Sequence, residues 1–143
     1  MTYTFDLLDG LARHLTEHGL GTYRPDGVYA AGETAITIAA MPPAPDRVIC
    51  LSAYPVVESS LLTDTTTGVQ VRTRASSDPR EVDALDDQVH ALLHGAGPFT
   101  WGAVPVQLLY RVSAASIGAD SAGRWERTAN YYARAHRSAP HLE

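Results

Sequence analysis

Two pairs of histidines at helical spacing are the residues best placed to do chemistry. His14-Leu-Thr-Glu17-His18 matches the inverted zinc-protease pattern H-x-x-E-H. Histidines four apart on a helix can share one metal ion, and the intervening glutamate then serves as general base. The pattern falls at the end of a short terminal helix, immediately before Gly19, and no third ligand is evident. A polar helix end therefore competes with a zinc-dependent hydrolase that uses His14, Glu17 and His18. His90 and His94 repeat the spacing near Asp83, Asp86 and Asp87. There the pattern reads as a solvated helix face, with His94 favoured by the dipole at a helix C-terminus. Gly118-Ala-Asp-Ser121-Ala-Gly123 is not G-x-S-x-G and falls at a hairpin tip, so no serine nucleophile is signalled. Gly95-Ala-Gly97 follows a helix instead of opening one, the wrong polarity for a phosphate. Cys50 sits in the most apolar stretch and reads as a small buried hydrophobe. No catalytic, metal-binding or cofactor-binding set assembles, and no cofactor is implied.

The elements that carry these residues follow from periodicity. Tyr3–His18 is an amphipathic helix with Phe5, Leu8, Leu11, Ala12 and Leu15 on one side, stopped by Gly19; Gly10 weakens the pattern. Leu20–Gly27 is turn-rich. From Thr34 to Ala40 the period becomes two, with Ile36 and Ile38 on one face. Three prolines in Met41–Asp46 break the ladder. Arg47–Tyr54 is apolar on both faces, as in a central strand covered by helix. Pro55–Gly68 is polar and unpatterned and reads as a flexible functional loop. Val69–Ala75 alternates, with Val69, Val71 and Thr73 opposite Gln70, Arg72 and Arg74. In the second helix, Asp78 caps, Pro79 opens and Glu81 completes a capping box. Val82, Leu85, Val89, Leu92 and Leu93 form its apolar stripe, and Gly95 ends it. After a turn region at Gly97–Gly102, Val104–Ala115 and Arg124–Arg137 are two long strands about the tip Ile117–Gly123. Val106, Leu108, Tyr110 and Val112 share a face of the first; Trp125, Ala129, Tyr131 and Ala133 share one of the second. The order α-β-β-β-α-β-β predicts a single α+β domain, a mainly antiparallel sheet with two helices packed on one face and a C-terminal tail at about 138–143.

Composition bounds the function. The chain has 143 residues, 11 Lys+Arg against 16 Asp+Glu, a formal charge of -5 and one cysteine. That size suits one domain with a sizeable core. A single cysteine excludes an internal disulfide and a Cys-based zinc site. No apolar run reaches the ~20 residues of a membrane helix, and no signal pattern opens the sequence. The acidity argues against a dedicated nucleic-acid binder. Every basic residue is arginine, which GC-rich codon usage explains first. Charge divides between elements: Arg72, Arg74, Arg111, Arg124 and Arg134 fall on the expected wet sheet face, diluted by Gln70, Gln107 and Glu126. Asp83, Asp86 and Asp87 fall on the second helix. Basic and acidic faces on one molecule suit head-to-tail association.

Several stretches in order resemble a known family. They are Gly19-Leu-Gly-Thr-Tyr23, Met41-Pro-Pro-Ala-Pro45 before an apolar strand, Gly68-Val-Gln-Val-Arg-Thr-Arg74, the Asp78-Pro79 helix ending Leu92-Leu-His-Gly95, and Gly118-Ala-Asp-Ser-Ala-Gly-Arg124 leading to Asn130-Tyr131. Together with the opening helix, Phe5 to Leu15, they are similar to the minor capsid / tail-terminator family of long-tailed bacteriophages. The resemblance implies a structural virion protein at the head–tail junction, not an enzyme. It implies a homo-oligomer, a hexameric ring that caps the tail-tube protein, stops tube polymerisation and docks to the head connector. DNA would pass through its lumen without specific binding, and no membrane is involved. The expected location is the virion, with the host cytoplasm during assembly. Under this resemblance Asp83, Asp86 and Asp87 are candidates for lumen or interface, the arginine face for pairing with an acidic neighbour, and residues 56–67 for ordering on docking. A head-completion (neck) protein and a small-molecule binding module are the alternatives alongside the hydrolase.

Overall fold

The structure is a computed structural model that describes residues 2–143. Thr2 caps α1 (Tyr3–Glu17), accepting the Phe5 N–H, and Asp78 caps α2 (Pro79–Leu93), accepting the Arg80 N–H. The capping box of α2 is relayed: the Ser76 hydroxyl takes the Asp78 N–H and meets the Glu81 carboxylate. The strands are β1 (Thr22–Tyr23), β2 (Ala35–Ile38), β3 (Val48–Glu58), β4 (Asp64–Arg74), β5 (Phe99–Trp101), β6 (Val104–Ala119) and β7 (Trp125–His136). They form one seven-stranded sheet in the order β1-β2-β3-β4-β7-β6-β5. The pairings from β3 to β5 are antiparallel, as expected, whereas β1–β2 and β2–β3 are parallel. The proline-rich segment after Ile38, entered through Ala39 at φ 68°, carries the chain back along the strand and so replaces a crossover helix.

Both helices bury their stripes against the same sheet face. Leu7, Leu8, Leu11 and Leu15 from α1 and Leu85, Val89 and Leu93 from α2 join Ile36, Ile49, Leu51, Val69, Val71, Ala129, Tyr131 and Ala133 in one core. Gly10 of α1 is where Trp101 of β5 lies against the helix; a Cβ there would stand 2.2 Å from the indole. Close packing thus explains a glycine that sequence alone counts against the helix.

Four expectations need correction. Residues 55–68 are not a loop: β3 runs to Glu58 and β4 starts at Asp64, so the connection is a short hairpin turn. Helix covers only one face of β3; Val48 and Cys50 on the other are covered with Ala35 by Tyr29 and Met41 from the flanking loops. The turn region after Gly97 holds β5. On β6, bulges between Val106/Leu108 and Arg111/Ser113 shift the alternation. Leu109 therefore enters the core, Leu108 is half-buried and Val112 is 44% exposed.

Candidate functional site

With both helices on one face, the opposite face of the central sheet carries no helix. Strand alternation brings Tyr54, Gln70, Arg72, Tyr110, Asn130, Tyr132 and Arg134 to it. The Tyr54 hydroxyl donates to Asn130 Oδ1 at 2.9 Å, and Asn130 Nδ2 donates to Ser113 Oγ at 3.0 Å. Tyr54 reaches Asn130 by lying over Gly68, where a Cβ would come within 2.2 Å of its ring. Tyr110 and Tyr132 meet edge-on with centroids 5.9 Å apart. Half-buried tyrosines, Tyr54 held by its hydrogen bond and Tyr110 and Tyr132 by their ring contact, are the side chains that protein interfaces favour.

The division of charge expected from sequence is largely cancelled within the chain. Arg74 is 3% exposed and donates to the main-chain carbonyls of Pro42, Pro45 and Asp46, so it holds the proline-rich loop and is not on a wet face. Arg111 lies on the helix side, because the bulged β6 places it opposite Tyr131. There Arg111 and Arg127 both approach Asp86 Oδ2 at 3.3 Å. Asp86 is 1% exposed and serves as an internal counter-ion to these two arginines. Burial pushes its carboxyl above the usual Asp value, and Arg127 and Arg111 oppose that shift. Tyr131 is fully buried beside this cluster, and burial raises its phenol. Arg72 pairs with the buried Glu126 at 2.8 Å, and Arg124 binds Asp120 at 2.9 Å and Asp46 at 3.2 Å. Asp83 pairs with Arg127 at 3.3 Å. Asp87 and Arg134 are exposed.

The histidine patterns do not converge on a metal. Burial lowers the pKa of His14, whose ring stands 4.8 Å edge-on to Phe99. His18 turns its Nδ1 to the His14 carbonyl oxygen at 2.9 Å. His90 and His94 stack at 4.7 Å, and His94 Nδ1 accepts the Arg111 N–H. Among the described residues, no three of His, Cys, Asp and Glu are grouped so as to hold a metal ion. Cys50 is buried, and burial raises its thiol pKa. Among the described residues no helix is long and apolar enough to cross a membrane.

The sequence profile described as "Bacteriophage tail terminator protein" matches residues 14–137, most of the chain. The chain belongs to the bacteriophage tail terminator family. Its place is therefore among the structural components of a phage-type tail or neck. No curated protein matches it. Among solved structures, it is similar to a chain of the "Virion of native gene transfer agent (GTA) particle" at 18% identity and a TM-score of 0.55. The match covers 70% of this chain and 78% of that one, and it shows a shared fold. A tail terminator must meet neighbours through its surface, and sequence alone pointed to the arginines. It missed the tyrosine relay, whose only sequence signal is a tyrosine and a glycine that become cross-strand neighbours.

Proposed function

We propose that this chain is the tail terminator of a long-tailed phage or phage-like particle. In this reading six copies form a ring on the head-proximal end of the tail tube, stop its polymerisation and dock to the head connector. The observation that carries it is the family match across residues 14–137 of a chain with this fold. DNA would pass through the lumen without specific binding, in keeping with a formal charge of -5. Assembly would take place in the host cytoplasm before the ring enters the virion. In this reading exposed Asp83, Asp87 and Arg134, with partly exposed Arg72, would be the charged residues that face a lumen or neighbour. Arg124 is too engaged with Asp120 and Asp46 to lead.

Negative-stain microscopy of the purified chain, alone and mixed with the tail-tube protein of the same particle, tests the reading. Rings that cap tubes of defined length support it. A chain that binds portal or adaptor but leaves tubes uncapped is a head-completion protein instead.

A further inference from the structure

The sheet has two unfinished edges at diagonal corners. β5 pairs only with Val104–Val106, and a single bridge from Ala96 reaches Leu109. Beyond Arg111, the outer side of β6 has no strand beside it among the described residues. At the other corner β2 covers β3 only over Val48–Leu51, which leaves the outer side of Ser52–Glu58 open. Unpaired edges present rows of N–H and C=O groups that invite another strand, and proteins normally guard them with charge or proline. Val112–Ala119 (VSAASIGA) has neither, and Val112 and Ile117 are 44% and 49% exposed.

We infer that the outer edge of β6, Val112–Ala119, receives the outer edge of β3, Ser52–Glu58, of a second copy of this chain as an added antiparallel strand. This rests on the ring-subunit reading above and names the edges that would meet. The sense follows from the sheet: β3–β4, β4–β7 and β7–β6 are each antiparallel, so β6 runs opposite to β3. Two copies side by side in the same orientation therefore present an antiparallel pair, and each copy keeps one edge free for the next. Such a contact is heterologous and repeats until it closes.

Charge favours the same partner. α2 carries Asp83, Asp87, His90 and His94 on successive turns, and the His94 bond to Arg111 sets that flank beside β6. The open edge of β3 lies beside the start of α1, where the Arg137 guanidinium covers the Tyr3 ring at 4.5 Å and, with Glu58, lines a hollow that includes Tyr54 and Pro55. An acidic flank thus meets a helix N-terminus and an arginine, with Glu58 the opposing charge. Pro55 removes one donor from the β3 edge, and bulges bend the β6 edge at Val112 and Ile117, so neither suits an arbitrary strand.

Disulfide trapping tests the inference. In a Cys50→Ala background, Ser113→Cys or Ala115→Cys is combined with Val56→Cys or Glu58→Cys in one chain and oxidised at assembling concentration. The expected result is a ladder of dimers, trimers and higher species from at least one pair. Oligomers in light scattering with no ladder from any pair overturn the edge assignment and leave the ring reading standing. Dimers from Ala115→Cys alone, without a ladder, show that β6 pairs with itself and also overturn it. A wild-type chain that stays monomeric even with tube protein removes the ring reading and this inference together. As a second arm, Ala114→Lys should keep the wild-type melting temperature and raise the concentration needed for assembly about tenfold or more; unchanged assembly counts against the β6 edge.

Discussion

Arg74 offers the sharpest test of the fold. Its Nε donates to the Asp46 carbonyl at 2.9 Å, and Nη2 donates to those of Pro42 and Pro45 at 2.7 Å. Burial, then the nearby Arg124, hold its pKa below that of an ordinary arginine, so this charge is retained for its bonds at a desolvation cost. Arg74→Met keeps most of the volume and removes all three bonds. Each bond to a charged group contributes about 1.5–3 kcal/mol. Their sum is reduced because losing the charge also removes its burial penalty, which leaves a net loss of about 3–4 kcal/mol. With a urea m-value of about 2 kcal/mol/M, the midpoint should fall by about 1.5–2 M. Tryptophan fluorescence follows the transition through Trp101 and Trp125. Exposed Arg134→Met is the control and should stay within about 0.5 kcal/mol of wild type. Arg74→Lys should fall between, because an ammonium keeps the charge without the planar fork. Equal midpoints for Arg74→Met and Arg134→Met would refute the clamp. Charge reversal at Arg74 would likewise destabilise the chain itself, and so would not report cleanly on any contact between subunits.

Three further outcomes follow from the same geometry. Gly68→Ala should displace the Tyr54 ring and break its bond to Asn130, at a cost of about 1–3 kcal/mol in thermal melting; an unchanged melt would mean the ring has room to move. Asp86→Ala leaves Arg111 and Arg127 without their buried counter-ion and should cost about 3 kcal/mol or more in urea unfolding, with a loss under 1 kcal/mol counting against the cluster. His14, whose pKa burial lowers from 6.5, resists a proton that the unfolded chain accepts. Stability should therefore decline as pH falls below 6.5, and His14→Gln should flatten that part of the curve; parallel curves would show that His14 is solvated.

The elements with strong local signals were legible in the sequence. α2 was readable because Asp78, Pro79 and a clean apolar stripe agree. The single-sided helix packing followed from strands that succeed one another without crossover helices. What escaped was set by partners distant in sequence. The facing ends of β3 and β4 carry no apolar alternation: Thr65, Thr66 and Thr67 are all polar, although Thr67 is buried under Tyr3. β1 and β5 are too short to show a period. Bulges on β6 move Leu109 inward and Arg111 to the helix side, and no local pattern announces them. The arginines were found by type, but ion pairs with Asp46, Asp86, Asp120 and Glu126 decide their roles, and those contacts exist only in three dimensions.

Tyr54 lying across Gly68 also acts as a key for strand alignment. Sliding β3 by two residues along β4 would keep every side chain on its own face, so burial alone does not oppose it. In the native alignment Tyr54 stands opposite Gly68, the one site on this stretch of β4 without a Cβ. A slip in either direction brings Tyr54 against Thr66 or Gln70, whose side chains occupy the space its ring needs. One missing methyl therefore fixes how far the strands slide, and the proposed edge-to-edge contact would start from a sheet of defined length.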